Sequence, residues 1–415
     1  MVLPQHGRPA AEVLDALAAH AEHDVAWREG RAFTLAYSAG PEVLALADAA
    51  YARFSGANAL NTDAFPSLRT MQAEVVDAVA GWLQAPPSAA GFMTSGGTES
   101  ILLAVLAARE RAREERGVMA PNVVLPTSAH AAFEKAGYYF GVRTVRVPVA
   151  ADWRADAAAM AAAVDDDTVL VVASAPQYPQ GVIDPVAAVA AVAEARGVGC
   201  HVDACMGGVT LPYLERLGHD LAPWDFRLPG VTSMSVDLHK FGYTAKGASV
   251  LLHRSKALRR YQTYVTDNWL GGQYGSSGVQ GTKSGGSIAA AWAVMQHLGD
   301  DGYLRLTAAA RQATLELATA VTQRPRLALR AWPDTTLLSF GTAEPGALDV
   351  WAVADELWRR GWYVDRQGPP PSLHLTVNAV HAGRIDAFVV DLDAALAQAG
   401  GAPAGAAPGA YGTVE

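Results

Sequence analysis

A strand–helix–strand pattern in the middle of the chain is the feature that most restricts the possible fold. Val169–Ala173 is a continuous apolar run, typical of a strand buried on both faces. An alanine- and valine-rich helix follows at Pro185–Arg196, and Val198–Val202 is a second apolar run. Two strands joined by one helix form a βαβ unit, whose strands are parallel. The sequence therefore predicts an α/β fold with a mostly parallel sheet flanked by helices.

The rest of the chain divides around this unit. Residues 1–60 are alanine-rich with a helical pattern, interrupted at Tyr37–Pro41, and residues 61–300 alternate apolar strands with helices, which predicts a large domain. Residues 301–399 change to a long helix followed by mixed strands and helices, which predicts a smaller α+β domain. Residues 400–415 are rich in Ala, Gly and Pro, which favours a flexible tail.

The charge balance and the cysteine content exclude several classes of protein. The 32 basic and 41 acidic side chains give a net charge of −9 without a basic stripe, so we expect no nucleic-acid partner. No apolar run approaches the roughly 20 residues that span a bilayer, so we expect no transmembrane segment, and the N-terminus lacks a secretion-signal pattern. Cys200 and Cys205 have neither zinc-site nor disulfide-framework spacing, which favours a reduced, cytoplasmic protein.

Lysine is scarce in this chain. Of the 32 basic residues only 5 are Lys and 27 are Arg. The lysines that remain are therefore candidates for work that needs an amine, such as a Schiff base, although codon bias explains the same count. Lys240 comes directly after the predicted strand Val231–Val236, in Asp237-Leu238-His239-Lys240, and Lys246 follows six residues later. This strand end is a candidate catalytic position.

Three other strand ends or helix starts carry polar groups. Thr94–Ser100 precedes a helix at Ile101–Arg116, where free backbone N–H groups and the helix dipole can bind a phosphate, although a simple helix cap explains the same residues. It is neither a Walker sequence nor a GxGxxG motif. Asp203 closes one apolar strand and His130 follows another; an ion pair with Arg and a structural histidine are the alternatives. Together these parts suit pyridoxal 5′-phosphate (PLP), which needs a phosphate cradle, a carboxylate, a flat imidazole and an amine.

In these motifs and the segments around them, the sequence resembles the PLP-dependent group II decarboxylase family, and within it the sphingosine-1-phosphate lyases. The resemblance extends from about Asn58 to Tyr303 and resumes weakly at residues 370–374. Its segments are FPSLRTMQAE (65–74), TSGGTESILLA (94–104), SAHAAFEKAGYYFGV (128–142), APQYPQGVIDP (175–185), HVDACMGG (201–208), VTSMSVDLHKFGYTAKG (231–247) and NWLGGQYGSSGVQGTKSGG (268–286). It implies a fold type I PLP enzyme with a large domain and a small C-terminal domain.

The resemblance also implies roles for individual residues. Lys240 would form the Schiff base, Asp203 would hold the pyridine nitrogen, and His130 would stack on the ring. Further cofactor contacts are implied for Gly97, Thr98, Ser100 and His239, and for Gly281 and Thr282 from the neighbouring subunit of a homodimer. Lys246 and Tyr178 match positions that face the substrate.

Two departures from the lyase pattern concern the substrate. Asn61 stands where the lyases carry a His that helps to hold the substrate phosphate, so it is a substrate-binding candidate of altered chemistry. Residues 281–286 read Gly-Thr-Lys-Ser-Gly-Gly where the lyases have Gly-Ser-Arg-Pro-Gly-Gly, which keeps a hydroxyl and a charge but loses the forked geometry of Arg.

The resemblance predicts a carbon–carbon lyase (an aldehyde-lyase) that cleaves a β-hydroxy amine by retro-aldol chemistry, either with a phosphate, as in the sphingosine-1-phosphate lyases, or without one. The alternative in the same cofactor class is an L-amino-acid decarboxylase, which Asn61 favours, whereas Lys246 and the length of the lyase match favour the lyase. A catalytically idle, PLP-binding homologue is the third reading.

Overall fold

The computed structural model describes residues 3–399, and the predicted tail at 400–415 lies outside the described residues. A seven-stranded sheet forms the centre of the large domain. Its strands are β1 (Ala90–Thr94), β2 (Asn122–Pro126), β3 (Arg143–Val147), β4 (Thr168–Ser174), β5 (Gly199–Asp203), β6 (Ser233–Val236) and β7 (Ser249–His253). Their order is β1-β7-β6-β5-β4-β2-β3, and β2 to β6 are mutually parallel. Strand β7 runs antiparallel to both β1 and β6, so β1 ends at the same edge as the parallel strands.

Helices cover both faces of this sheet. The α-helices of residues 3–399 are α1 (Ala10–His20), α2 (Pro41–Phe54), α3 (Pro66–Trp82), α4 (Gly97–Arg116), α5 (Ala132–Phe140), α6 (Ala157–Ala163), α7 (Val186–Arg196), α8 (Thr210–Arg216), α9 (Lys256–Arg259), α10 (Gly286–Thr322), α11 (Val350–Arg359) and α12 (Ile385–Ala399), of which α11 and α12 belong to the small domain, and 3₁₀ turns lie at Trp27–Glu29, Arg260–Gln262 and Ala379–His381. Alternate residues of β4 enter different cores: Val171 packs with α7, whereas Leu170 packs with α4 and α5. The predicted βαβ unit is confirmed as β4, α7 and β5.

The small domain contains a second, antiparallel sheet. Its strands, β10 (Leu327–Leu329), β11 (Leu337–Thr342), β12 (Asp365–Gln367) and β13 (Ser372–Thr376), lie in the order β10-β11-β13-β12. A separate hairpin, β8 (Tyr264–Thr266) with β9 (Tyr274–Ser276), projects from the large domain. The core of the small domain includes Phe33 from the N-terminal segment, stacked on Trp362 and His381. The N-terminal segment therefore contributes to both cores, because Val43 and Ala47 of α2 belong to the core of the large domain.

Helix α10 joins the two domains. It begins in the large domain at Gly286 and ends at Thr322, and Gly299, with φ +56°, interrupts it one residue before the predicted boundary at 300/301. The 1–60 segment has two α-helices, α1 and α2, and the interruption expected at Tyr37–Pro41 falls at the end of the non-α-helical stretch between them, because α2 begins at Pro41. Within residues 3–399, no helix is both long and apolar enough to cross a membrane.

Candidate active site

A cavity of about 280 Å³ opens at the edge of the large sheet where the parallel strands end. We call it the Lys240 cavity, because Lys240 lines it. This edge is where ligands gather in open α/β sheets. Each of the five polar features predicted from the sequence lines the cavity from a different strand end. They are Gly97 with Thr98 after β1, His130 after β2, Tyr178 after β4, Asp203 at the end of β5, and His239 with Lys240 after β6. The structure thus brings together residues that are up to 143 positions apart in the chain (97 to 240).

The start of helix α4 forms an open anion cradle in this cavity. Gly96 occupies the N-cap position with φ +155°, and no side chain caps the helix, so the first backbone N–H groups and the positive end of the dipole face the cavity. A Cβ at Gly97 would lie 2.8 Å from Asp237 Oδ2 and 2.9 Å from Cys205 Sγ, which excludes larger residues. A Cβ at Gly96 would lie 3.4 Å from the His239 ring, so that imidazole borders the same cradle.

Asp203 is held at the base of the cavity. Its Oδ1 accepts hydrogen bonds from the Cys205 N–H at 3.1 Å and from the Ser235 hydroxyl at 3.4 Å. Both donors are neutral, so in these contacts the carboxylate is oriented without being neutralised. The alternative of a structural ion pair with Arg is not what these contacts show. A buried carboxylate of this kind can serve a protonated ring nitrogen.

His130 presents a neutral imidazole to the cavity. Burial lowers its pKa, with the charge of Asp203 opposing that shift. Its Nδ1 accepts the Ala132 N–H at 3.1 Å, which places the ring proton on Nε2. An uncharged, oriented aromatic ring at this place suits stacking on a flat heterocycle.

Asp237 is a site residue that the sequence reasoning missed. Its side chain is 3% exposed, and Oδ2 forms an ion pair with Lys240 Nζ at 3.0 Å, while Oδ1 has no hydrogen-bond partner among the described residues. Burial alone would raise the pKa of Asp237, but the charges of Lys240 and His239 outweigh it and lower the pKa to about 2. The position three residues before Lys240 was the available signal, because that spacing places a carboxylate within reach of an amine in a single turn.

One predicted cofactor contact does not lie in this cavity. Ser100 is completely buried, and its hydroxyl hydrogen-bonds with Thr94 Oγ1 at 2.7 Å and with Ser249 Oγ at 2.9 Å. The side chain therefore joins helix α4 to β1 and β7 instead of facing the cavity. Its sequence neighbours Gly97 and Thr98 face the cavity because they occupy the first turn of the helix.

A second cavity, of about 200 Å³, adjoins the first at Ser95, which lines both. Lys246 and Lys283 line it together with Thr94, Ser284 and Ser287. Lys246 keeps part of its surface exposed, but its ammonium is crowded by protein, and this desolvation together with the charge of Lys240 lowers its pKa to about 8. Desolvation likewise lowers the pKa of Lys283 to about 8.

These two ammonium groups have weak partners. Lys246 Nζ donates to the His239 carbonyl at 3.3 Å, and Lys283 Nζ donates to the Met93 carbonyl at 3.3 Å. Each also lies over an aromatic ring, 5.0 Å from Tyr37 and 3.9 Å from Phe92. Within residues 3–399 neither lysine forms an ion pair with a carboxylate. Two partly desolvated cations without carboxylate partners favour binding of an anion.

The remaining predicted residues are Asn61, Gly281 and Thr282. They lie in two neighbouring segments, outside the Lys240 cavity of their own chain. Asn58 Nδ2 donates to Thr282 Oγ1 at 3.4 Å, and the Ala59 N–H donates to the Lys283 carbonyl at 2.8 Å, so residues 57–61 and 281–285 pair side by side. Asn61 and Thr282 are exposed, and Asn61 Oδ1 accepts the N–H groups of Asp63 and Ala64. We call residues 57–61 and 281–285 the paired segment.

Comparison with known proteins decides the family. Residues 3–342 match the family described as "Pyridoxal-dependent decarboxylase conserved domain". The chain belongs to this family. It is 38% identical to sphingosine-1-phosphate lyase 1 of Rattus norvegicus over 380 residues, which is 91% of this chain and 66% of that protein, so the chain spans about two thirds of the rat relative.

Solved structures give the same result. The sphingosine-1-phosphate lyase of Burkholderia pseudomallei superposes with a TM-score of 0.91 and 39% identity, covering 96% of this chain and 93% of that one. Glutamate decarboxylase of Lactobacillus brevis superposes with a TM-score of 0.86 at 21% identity, covering 97% and 96%, and this likeness concerns the fold alone. The predicted fold and the resemblance to the sphingosine-1-phosphate lyases are confirmed.

Family membership makes PLP the cofactor, as predicted. The residues of the cavity fit that cofactor on independent grounds. The uncapped helix start can bind its phosphate, and only glycine is accommodated at Gly97. Asp237 lines the same cavity, and its Oδ1, which has no hydrogen-bond partner among residues 3–399, can be satisfied there by a polar ligand.

Proposed function

We propose that this enzyme cleaves the Cα–Cβ bond of a phosphorylated β-hydroxy amine, in the manner of the sphingosine-1-phosphate lyases. In the net reaction the Cα–Cβ bond breaks, the β-hydroxyl loses its proton and leaves within an aldehyde, and the α carbon gains a proton. The observation that carries the proposal is the cavity containing Lys246 and Lys283, which opens beside the Lys240 cavity. A substrate amine near Lys240 can extend a phosphate toward these two cations.

Bound PLP supplies an electron sink for the electrons released when a bond to the substrate α carbon breaks. The protein residues bind and orient. Gly97 and Thr98, with His239 beside them, offer N–H donors to a phosphate; Lys240 offers the amine that binds the cofactor. Asp203 supplies a carboxylate to hold a proton on a ring nitrogen, and neutral His130 supplies a flat surface.

The alternative, an L-amino-acid decarboxylase, shares the sink and differs only in which bond breaks. Asn61 in place of the lyase histidine is the observation that keeps this alternative. The position of the two lysines favours the phosphorylated substrate, since they put two positive charges beside the Lys240 cavity. An idle homologue is the less favoured reading, because the amine, the carboxylate and the phosphate cradle are all present.

We propose a homodimer in which Gly281 and Thr282 of the paired segment complete the site of the second copy, while Lys283 of the same segment lines the second cavity of its own chain. In its own chain the paired segment does not line the Lys240 cavity. The stretch just before residues 281–285 exposes large apolar side chains: Trp269 is 59% exposed, Leu270 fully and Val279 58%. A second copy of the chain can cover them. We further propose a cytoplasmic location, which the two free cysteines support.

Two assays test these proposals. Sphingosine 1-phosphate and sphingosine are supplied to the PLP-loaded enzyme and to Lys246→Ala; we expect the phosphorylated compound to be preferred by the wild type and the preference to fall about tenfold or more in the variant, since a phosphate–lysine pair is lost. Equal rates on both compounds would contradict the phosphate subsite. A Lys240→Ala protein that retained turnover would contradict the assignment of Lys240 and exclude the proposed chemistry.

The dimer is tested by mixing two inactive variants. Lys240→Ala disables a chain's own site, and Thr282→Glu disables the segment that a chain donates. Co-refolded mixtures should recover about a quarter of wild-type activity, because half of the dimers are mixed and each of these has one intact site. Absence of recovery, or an active monomer in sedimentation, would contradict the shared site.

A further inference from the structure

Tyr178 lines the Lys240 cavity, but its hydroxyl points to the small domain. Oη lies 2.5 Å from Asp365 Oδ2 and 2.9 Å from Thr34 Oγ1, and Thr34 Oγ1 also donates to Asp365 Oδ2 at 3.2 Å. The three groups form a closed triangle that joins a loop of the large domain, the N-terminal segment and strand β12. The hydroxyl is therefore engaged on the side of Tyr178 that faces the small domain.

Two small-domain residues that contact Tyr178 are register partners. Asp365 on β12 lies opposite His374 on β13. The His374 ring lies under the Tyr178 ring, with centroids 3.9 Å apart and planes 32° apart, while Asp365 accepts from the hydroxyl. Burial lowers the pKa of His374 to about 3, so this ring is neutral and stacks without a charge. One cross-strand pair thus contacts both the ring of Tyr178, through His374, and its hydroxyl, through Asp365.

The loop that carries Tyr178 is tied to the small domain on either side of this contact. Gln367 Nε2 donates to the Pro179 carbonyl. Gly181 packs so closely that a Cβ would lie 2.5 Å from the Leu337 carbonyl oxygen, and its φ is +75°. Farther along, the Ile183 N–H donates to Asp334 Oδ2 at 2.9 Å. The loop position is thus set by the small domain and not by the large domain alone.

We propose that Asp365 is a positioning residue for the Lys240 cavity, holding the Tyr178 ring at the cavity wall from the small domain. Tyr178 then acts through its ring, and its hydroxyl proton is committed to Asp365 rather than to the substrate. This inference rests on the proposed function in one respect, since it places the reacting groups beside Tyr178. Sequence separation explains why no motif reveals it: Tyr178 and Asp365 are 187 positions apart.

The test uses Asp365→Ala, Asp365→Asn, Tyr178→Phe and the double variant Tyr178→Phe/Asp365→Ala. The matched control is Asp355→Ala, which removes a small-domain carboxylate that pairs with Arg366 and is outside the cavity. Each protein is prepared without cofactor and titrated with PLP while visible circular dichroism of the bound cofactor is recorded. Turnover of sphingosine 1-phosphate and thermal unfolding are measured on the same samples.

We expect Asp365→Ala and Tyr178→Phe to lower kcat/KM about tenfold each, because each removes the same charge-assisted hydrogen bond. The double variant should be no worse than Asp365→Ala, and Asn at 365 should restore part of the loss because its Oδ1 still accepts. The circular dichroism of bound PLP should change in both single variants and not in Asp355→Ala.

Additive losses, or unchanged circular dichroism in Asp365→Ala, would overturn the inference. A loss of about a thousandfold in Tyr178→Phe with little loss in Asp365→Ala would instead make the hydroxyl an acid or base and also overturn it. If the wild type cleaves no β-hydroxy amine, the proposed function fails, but the dichroism and the PLP affinities of the four variants still decide the role of Asp365. If the melting temperature falls as far in Asp355→Ala as in Asp365→Ala, the fall reflects general destabilisation. The circular dichroism of bound PLP then decides whether Asp365 also positions Tyr178.

Discussion

Replacement of Asp237 by Asn tests the ion pair that the structure adds to the site. The side chain is 3% exposed, Oδ2 lies 3.0 Å from Lys240 Nζ, and the pKa falls from 3.8 to about 2. A decrease of about two pKa units corresponds to about 2 kcal/mol in favour of the ionised carboxylate. Asparagine keeps the shape and removes the charge, so the free energy of unfolding of the cofactor-free enzyme should fall by about 2 kcal/mol at neutral pH.

The stabilisation that Asp237 contributes should depend on pH in a defined direction. Because the pKa of Asp237 is lower in the folded than in the unfolded chain, its stabilisation is complete above about pH 4 and is lost as the pH falls from about 4 to about 2. Urea unfolding of both proteins should therefore show a difference of about 2 kcal/mol near pH 7 and near pH 5 that shrinks near pH 3. A difference that is constant over this range, or absent at pH 7, would refute the reasoning.

Two further predictions concern the phosphate sites. Lys246 has a pKa of about 8, so its charge is lost as the pH rises through that value, and kcat/KM for sphingosine 1-phosphate should decline above about pH 8 in the wild type but not in Lys246→Ala; the same decline in both would contradict a role for this lysine. Gly97→Ala would place a methyl group 2.8 Å from Asp237 and should weaken PLP binding about tenfold or more in an absorbance titration, whereas Gly81→Ala, with no atom within 4 Å of the new group, should bind normally.

The parallel part of the fold could be predicted from the sequence because its signals are local. Strand β4 is an apolar run bounded by polar residues, and the helix after it ends at Arg196, directly before Gly197. The antiparallel insertion of β7 between β1 and β6 could not be predicted in the same way. Its direction depends on the reversal of the chain between Lys240 and Ser249, and an apolar run has the same appearance in either direction.

The residues of the candidate site also differ in whether a local signal in the sequence reveals them. Residues that follow a strand, such as Asp203 and Lys240, could be found because a polar side chain there is costly unless it has a partner or a ligand. Ser100 was misassigned because a hydroxyl near a helix start can point either to a ligand or into the sheet, and only packing decides which. Asp365 could not be found at all, since its contact with Tyr178 joins two domains through a tertiary hydrogen bond.

The most direct test of the central claim is to identify the products that the purified, PLP-loaded enzyme forms from sphingosine 1-phosphate. Mass spectrometry should detect a long-chain aldehyde and a phosphorylated two-carbon amine in equal amounts, with neither formed by Lys240→Ala. The same protein is also offered a panel of L-amino acids with carbon dioxide as the readout. Release of carbon dioxide from an amino acid, without aldehyde from any β-hydroxy amine, would contradict the account and identify a decarboxylase.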